Sequence, residues 1–142
     1  MLEPADHVEI RNLLNLYPFI VDIPANYGRA REVFTEDAVF DGGDYGRFEG
    51  VEALIDYWSH SPKRAAALEK SRLLSHNMVN IYIWQDAAGV VRSMSRCIGT
   101  SLDGVASIAV YDDELRRTPE GWRISYRLLS AMTPPTVRIR ED

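Results

Sequence analysis

SRLLSHNMVNIYIWQ (71–85), VVRSMSRCIGTSL (90–102), VASIAVYDDELRRT (105–118) and GWRISYRLLSAM (121–132) follow one another with only short breaks. The breaks hold AAG, DG and PEG, which are turn signals. The second half of the chain therefore predicts a meander of four long strands. Each stretch exceeds the roughly five or six residues of an ordinary strand. Strands of that length imply a strongly curved sheet, with bulges that bend it.

The first half reads differently. Val8, Ile10, Leu13, Leu14 and Tyr17 recur at helical spacing, and Asp6 is placed to cap the helix they form. Pro18 predicts a kink or a break there, because proline lacks the backbone donor and clashes one turn back. Pro24 marks an end, and residues 27–34 fit a second short helix. AVFDGG (38–43) and YGRFEG (45–50) read as a strand, a turn and a short return strand. Residues 51–68 fit one further helix, with Leu54, Ile55, Tyr57 and Trp58 as its apolar positions. Helices first and a strand meander afterwards is an α+β pattern. A curved, mostly antiparallel or mixed sheet with three or four helices across its open face makes a cone. Between sheet and helices it encloses a pocket of the kind that holds small ligands.

The 142 residues suit a single domain, 1–142. The composition, 46% hydrophobic and 26% charged, is that of an ordinary globular protein. A net charge of −5 without a basic stripe argues against a nucleic-acid partner, which requires neutralised phosphates. No apolar run is long enough to span a bilayer and the first residues are polar, so neither a membrane partner nor a secretory signal is expected. A lone cysteine, Cys97, allows no internal disulfide and no thiolate zinc site, which makes a cytoplasmic setting the default. Three histidines without metal-ligand spacing and the absence of a glycine-rich phosphate loop predict no metal and no nucleotide cofactor.

Four residues stand out by their chemistry: Tyr17, Asp22, His76 and Arg127. A phenol, a carboxylate, an imidazole and a guanidinium on one helix and two strands can move a proton and steady the charge that develops. A carboxylate beside His76 would hold its ring in one tautomer and raise its basicity. Each residue also has an ordinary reading. For Tyr17 it is packing, for Asp22 the end of a helix before Pro24, and for Arg127 a rim cation paired with Glu114. Phe40, Tyr57, Trp58, Asn77 and Met78 are the candidate pocket lining and suit a small hydrophobic molecule. Asp37 and Asp41 read as turn and strand-edge residues. Alternation sets Arg92 and Arg96 on one face of their strand, and Ser93, Ser95 and Cys97 on the other.

The run L-x-x-L-Y-x-x-x-x-D, then VFTEDAVFD, FEG-x-EAL, SHNMVN and GWRISYR resembles the SnoaL-like branch of the nuclear-transport-factor-2-like superfamily, over nearly the whole chain. The resemblance implies the cone fold. It also implies one of several chemistries, since the superfamily includes polyketide cyclases, scytalone dehydratase, bile-acid dehydratases, a hexachlorocyclohexane dehydrochlorinase, ketosteroid isomerase and non-catalytic binding domains. It is nearest to the dehydratase and dehydrochlorinase members, in which an Asp on the first helical segment and a His on the first long strand form the base. Asp22 and His76 match those positions, Tyr17 matches a tyrosine that assists the leaving hydroxyl, and Arg127 matches an arginine that steadies a departing anion. There are two departures. Pro18 directly follows Tyr17, and VVRSMSRCIG lacks the second catalytic histidine of scytalone dehydratase. The resemblance implies a cofactor-independent lyase or a related isomerase. The alternative is a non-catalytic ligand-binding or oligomerisation domain. Self-association as a homodimer or homotrimer is expected either way, with the tail TPPTVRIRED (133–142) as one contributor.

Overall fold

The computed structural model describes residues 1–132; the tail proposed for self-association lies outside them. Helix α1 spans Pro4–Val21, and a 3₁₀ stretch covers Pro24–Glu32. Strand β1 (Phe34–Asp41) and the short β2 (Arg47–Glu49) follow, with a 3₁₀ turn at Gly43–Tyr45 between them. Helices α2 (Val51–His60) and α3 (Pro62–Ser71) precede the meander of β3 (Leu73–Gln85), β4 (Val91–Ser101), β5 (Gly104–Thr118) and β6 (Gly121–Ala131). All six strands form one sheet in the order β2-β1-β6-β5-β4-β3. Every pairing is antiparallel except β1 with β6, so the sheet is mixed and open, with β2 and β3 at its edges. No described helix is long and apolar enough to cross a membrane.

The expected curvature is built from register shifts. They fall between Val79 and Tyr82, between Leu73 and Ser75, between Gly99 and Thr100, and between Glu114 and Leu115, with a further one between Phe34 and Val39 in β1. At the first of these Asn80 takes φ 52°, one of the few side chains that tolerate the left-handed region. A bulge adds local twist, so a strand of 13 residues such as β3 bends around the helices instead of running flat past them. The core lies in the hollow so formed. Ile10, Leu14, Ile20, Val33 and Ile124 are fully buried there, with Phe34 and Tyr111 almost so.

Three local expectations are corrected. Helix α1 does not break at Pro18; it runs on to Val21, and the Asp22 N–H closes the last turn on the Pro18 carbonyl at 3.0 Å. Pro18 is buried, and packing of the surrounding turn outweighs its lost donor. Val8 is 60% exposed and takes no part in the core. The helix predicted over 51–68 is two helices, because Pro62 opens a new one. Ser61 caps it by accepting the Arg64 N–H at 3.2 Å.

Asp6, expected as the cap residue of α1, is not its N-cap. Glu3 is the N-cap, and Asp6 sits in the first turn, where its carboxylate accepts the Glu3 N–H at 2.9 Å. It also accepts the Trp122 indole N–H at 3.1 Å and an ion pair from Arg117. With Glu9, which accepts the Trp122 backbone N–H at 2.8 Å, it ties the start of α1 to the β5–β6 hairpin. The Glu3 N–H bond first, then Arg117 and Trp122, hold the Asp6 carboxyl well below the usual carboxylate range. A depressed folded-state value contributes stability above the unfolded pKa, and that stability is lost as pH falls toward the folded value. Asp6→Asn will therefore lower Tm at pH 7, and the gap from wild type will narrow below about pH 4. Thermal melts at the two pH values check this.

Candidate active site

The last turn of α1 and the first half of β3 meet at one end of the cone. Asp22 is the C-cap residue of α1 and keeps helical backbone angles, so its carboxylate is carried at the very end of the helix, where β3 comes past. Its two carboxylate oxygens both serve His76. One accepts the His76 backbone N–H at 2.8 Å, and the other lies 2.5 Å from Nδ1. The side chains are 13% exposed for Asp22 and 20% for His76, enough to exclude most competing water. An ionised carboxylate can only accept, so Nδ1 is the donor, and in the neutral imidazole the lone pair is then on Nε2. The bond fixes the ring plane, and the second bond to the His76 backbone fixes the carboxylate.

His76 stands in the wall of a cavity of about 310 Å³ between the sheet and the helices. Tyr17, Phe40, Tyr57 and Trp58 line the same cavity, as do Cys97 and Tyr111. The wall is mostly apolar, and its aromatic part is Tyr17, Phe40, Tyr45, Tyr57, Trp58 and Tyr111. Trp58 lies with its ring centroid 6.2 Å from that of Tyr17, and Phe48 backs Tyr57 at 4.3 Å. Two candidates from the sequence are elsewhere. Asn77 points out of the sheet, where its amide donates to the Ile98 carbonyl at 3.1 Å, because alternation opposes it to His76. Met78 packs against the hydrophobic core and is not part of the cavity wall.

Arg127 is no rim cation. It is fully buried and makes a two-pronged pair with Asp113, Nε to Oδ1 at 2.7 Å and Nη2 to Oδ2 at 2.8 Å. Glu114, the partner considered from sequence, instead accepts Arg92. The guanidinium carbon sits 4.4 Å from the Tyr17 ring centroid and 4.2 Å from that of Tyr111. Among the described residues its remaining Nη1 has no hydrogen-bond partner, and the ring faces are what the guanidinium meets. Arg127 thus lies behind the two tyrosines and outside the cavity wall. Burial opposes its charge, but the Asp113 carboxylate more than offsets this and holds the guanidinium firmly protonated.

The tyrosine pair forms the inner end of the cavity. Burial pushes the Tyr17 phenol up, with the Arg127 charge pulling the other way, and the two hydroxyls interact. Burial raises Tyr111 further, and the neighbouring Tyr17 adds to it. Both are therefore neutral donors at physiological pH. Cys97 sits beside them, its thiol pushed up chiefly by burial. A thiol held neutral is a poor nucleophile. Cys97 will react with iodoacetamide at pH 8 at least about tenfold more slowly in the folded protein than in urea.

Sequence reading missed Tyr111, Asp113 and Arg64. Tyr111, Asp113 and Leu115 are all buried on β5, an i, i+2, i+4 set on the inner face. That alternation, with an acid in the middle opposite Arg127, was the available signal. Arg64 reaches the cavity from α3 only because Pro62 starts a new helix, and nothing in its neighbourhood in sequence marks it. Among the described residues, no group of three His, Cys, Asp or Glu side chains could hold a metal.

The SnoaL-like domain family matches residues 3–128. No curated protein matches the chain. Among solved structures, an NTF2-like protein with a cystatin-like fold from Novosphingobium aromaticivorans superposes with a TM-score of 0.76 at 18% identity, over 93% of this chain and 85% of that one. A Mycobacterium tuberculosis protein of unknown function gives 0.72 at 22% identity, over 96% and 84%. A candidate scytalone dehydratase from Novosphingobium aromaticivorans gives 0.66 at 15% identity, over 96% and 91%. At these identities the likeness is one of fold.

Proposed function

We propose that this chain, which belongs to the SnoaL-like domain family, is a cofactor-independent lyase or closely related isomerase for a small hydrophobic molecule. The observation that carries the reading is the 2.5 Å contact between Asp22 and His76 Nδ1, with the same ring set in a cavity wall. His76 Nε2 takes a proton from a substrate C–H next to a leaving group or a carbonyl. The electron pair left on carbon forms the new C=C bond as hydroxide or halide departs, or forms an enolate that is reprotonated one position along. Asp22 stabilises the imidazolium through the proton that Nδ1 already shares with it. Tyr17, neutral because it is buried, donates to the leaving oxygen or to the carbonyl. Arg127, just behind the Tyr17 ring, steadies negative charge that develops on that phenol without touching the substrate.

The structural neighbour named as a candidate scytalone dehydratase agrees with elimination of water. The test is a screen of β-hydroxy and β-halo ketones with ring-sized hydrophobic bodies, read as conjugated-alkene absorbance. For a substrate found this way, Asp22→Asn will lower kcat by about 10²-fold with little change in KM, because orientation and charge balance act on the proton-transfer step. Unchanged kcat in Asp22→Asn would overturn the assignment.

Self-association belongs to the same proposal. Leu74 and Tyr82 on the edge strand β3 are 57% and 51% exposed, and Tyr82 stacks on Trp84 at 5.2 Å. An apolar edge of this kind is suited to a second copy of the chain. Light scattering should give two or three times the chain mass of 16.1 kDa, and a monomer would refute it. The non-catalytic alternative predicts ligand binding that Asp22→Asn leaves intact, with no turnover in wild type.

A further inference from the structure

The charge on the cavity wall is one-sided. Among the described residues, two cations, Lys63 and Arg64, line it, and no aspartate or glutamate does. Both come from the first turn of α3, whose helix dipole adds positive potential at that end. In a chain of net charge −5, most arginines find a carboxylate; Arg29, Arg31, Arg92 and Arg116 do so at 3.0 Å or less. These two do not. Arg64 donates to the Tyr27 hydroxyl at 2.8 Å and to the Trp58 and Val21 carbonyls at 3.2 and 3.1 Å, all neutral acceptors. Lys63 donates to the Asp44 carbonyl at 2.8 Å.

Those bonds orient the cations without neutralising them. Part of the Arg64 role is plain: it caps the carbonyl end of α1 at Val21. Capping does not explain why Lys63 stands beside it in the same wall. The Arg64 charge is also felt inside the cavity, where it pulls down the Tyr57 phenol against the larger upward push of burial. Val21 is the residue before Asp22, so Arg64 is bonded to the backbone next to the Asp22–His76 pair.

We infer that the cavity selects a substrate carrying a carboxylate, which docks on Lys63 and Arg64 while its hydrophobic body lies on the aromatic wall toward His76. This rests on the reading of the cavity as the substrate site. A carboxylate held remotely from the reacting carbon contributes equally to ground and transition states, so its loss raises KM more than it lowers kcat.

The probes are 2-naphthoate and its neutral isostere 2-naphthamide, titrated into the full chain and followed by calorimetry. The acid will bind at least about tenfold more tightly than the amide, and about 0.5 M salt will narrow the gap. Lys63→Gln, on an exposed residue, will remove most of the preference without changing amide binding. Arg64→Gln will do the same, and Arg64→Lys, which keeps the charge and part of the α1 cap, will retain it. Equal binding of acid and amide in wild type overturns the inference. So does a preference that survives both glutamine variants, or no binding of either probe up to about 5 mM. The catalytic reading fails separately. His76→Gln should keep the preference, so a lost preference alongside His76-dependent turnover sinks only the inference. An intact preference with turnover indifferent to His76 sinks only the chemistry.

Discussion

His76→Gln will reduce turnover of any substrate found for this chain by about 10³- to 10⁴-fold, the upper part of the range for a positioned general base. Glutamine is close in size and can still donate to Asp22, so the wall keeps its shape. What it lacks is a basic nitrogen where Nε2 stood. His76 is only partly buried, with its side chain 20% exposed, and the large apolar groups around it carry the packing. Tm should therefore move by only a few degrees, about the effect of 1 kcal/mol in a chain of this length. Affinity for a hydrophobic probe of the cavity should remain. The split between lost kcat and retained binding separates a base from a structural histidine. Turnover within about tenfold of wild type would show that the proton leaves by another route.

Much of this arrangement is legible in the sequence, and the reasons differ by element. The four long strands declare themselves because AAG, DG and PEG punctuate them at the β3–β4, β4–β5 and β5–β6 turns. Asp22 and His76 are 54 positions apart, and no local pattern links them; only the ordered set of motifs along the whole chain places one against the other. The lining residues split by geometry. Phe40, Tyr57 and Trp58 reach the cavity, but Asn77 neighbours His76 on a strand and so faces away from it. Pro18 misled in the opposite sense. A rule about isolated helices predicts a break there, and burial of Leu14, Tyr17, Ile20 and Val21 around the proline overrides it. Arg64 could not be read at all. Its position depends on where α3 begins and on which way that helix leans, and both are tertiary facts.

The second large effect concerns the ion pair behind the tyrosines. Asp113→Ala will destabilise the protein by about 3–5 kcal/mol, because it leaves the Arg127 cation fully buried without its counter-ion. For a chain of this length that is a fall in Tm of very roughly 10–20 °C. Both side chains are 0% exposed, and Ser93 adds a hydroxyl bond to the Asp113 carboxylate at 3.2 Å, so solvent cannot screen the loss. Arg127 keeps its proton across the accessible pH range, so the deficit will not be relieved by titration. Replacing both partners, as in Asp113→Leu with Arg127→Met, removes the uncompensated charge and should recover most of the stability, since a buried pair contributes little net free energy over apolar groups of similar volume. Activity should not recover with it. If Arg127 steadies charge on the Tyr17 phenol, the stable double variant will still lose about 10- to 100-fold in kcat. A double variant that regains both stability and turnover would leave Arg127 a structural role alone. A single variant whose Tm falls by less than about 3 °C would mean that the buried pair contributes little to the fold.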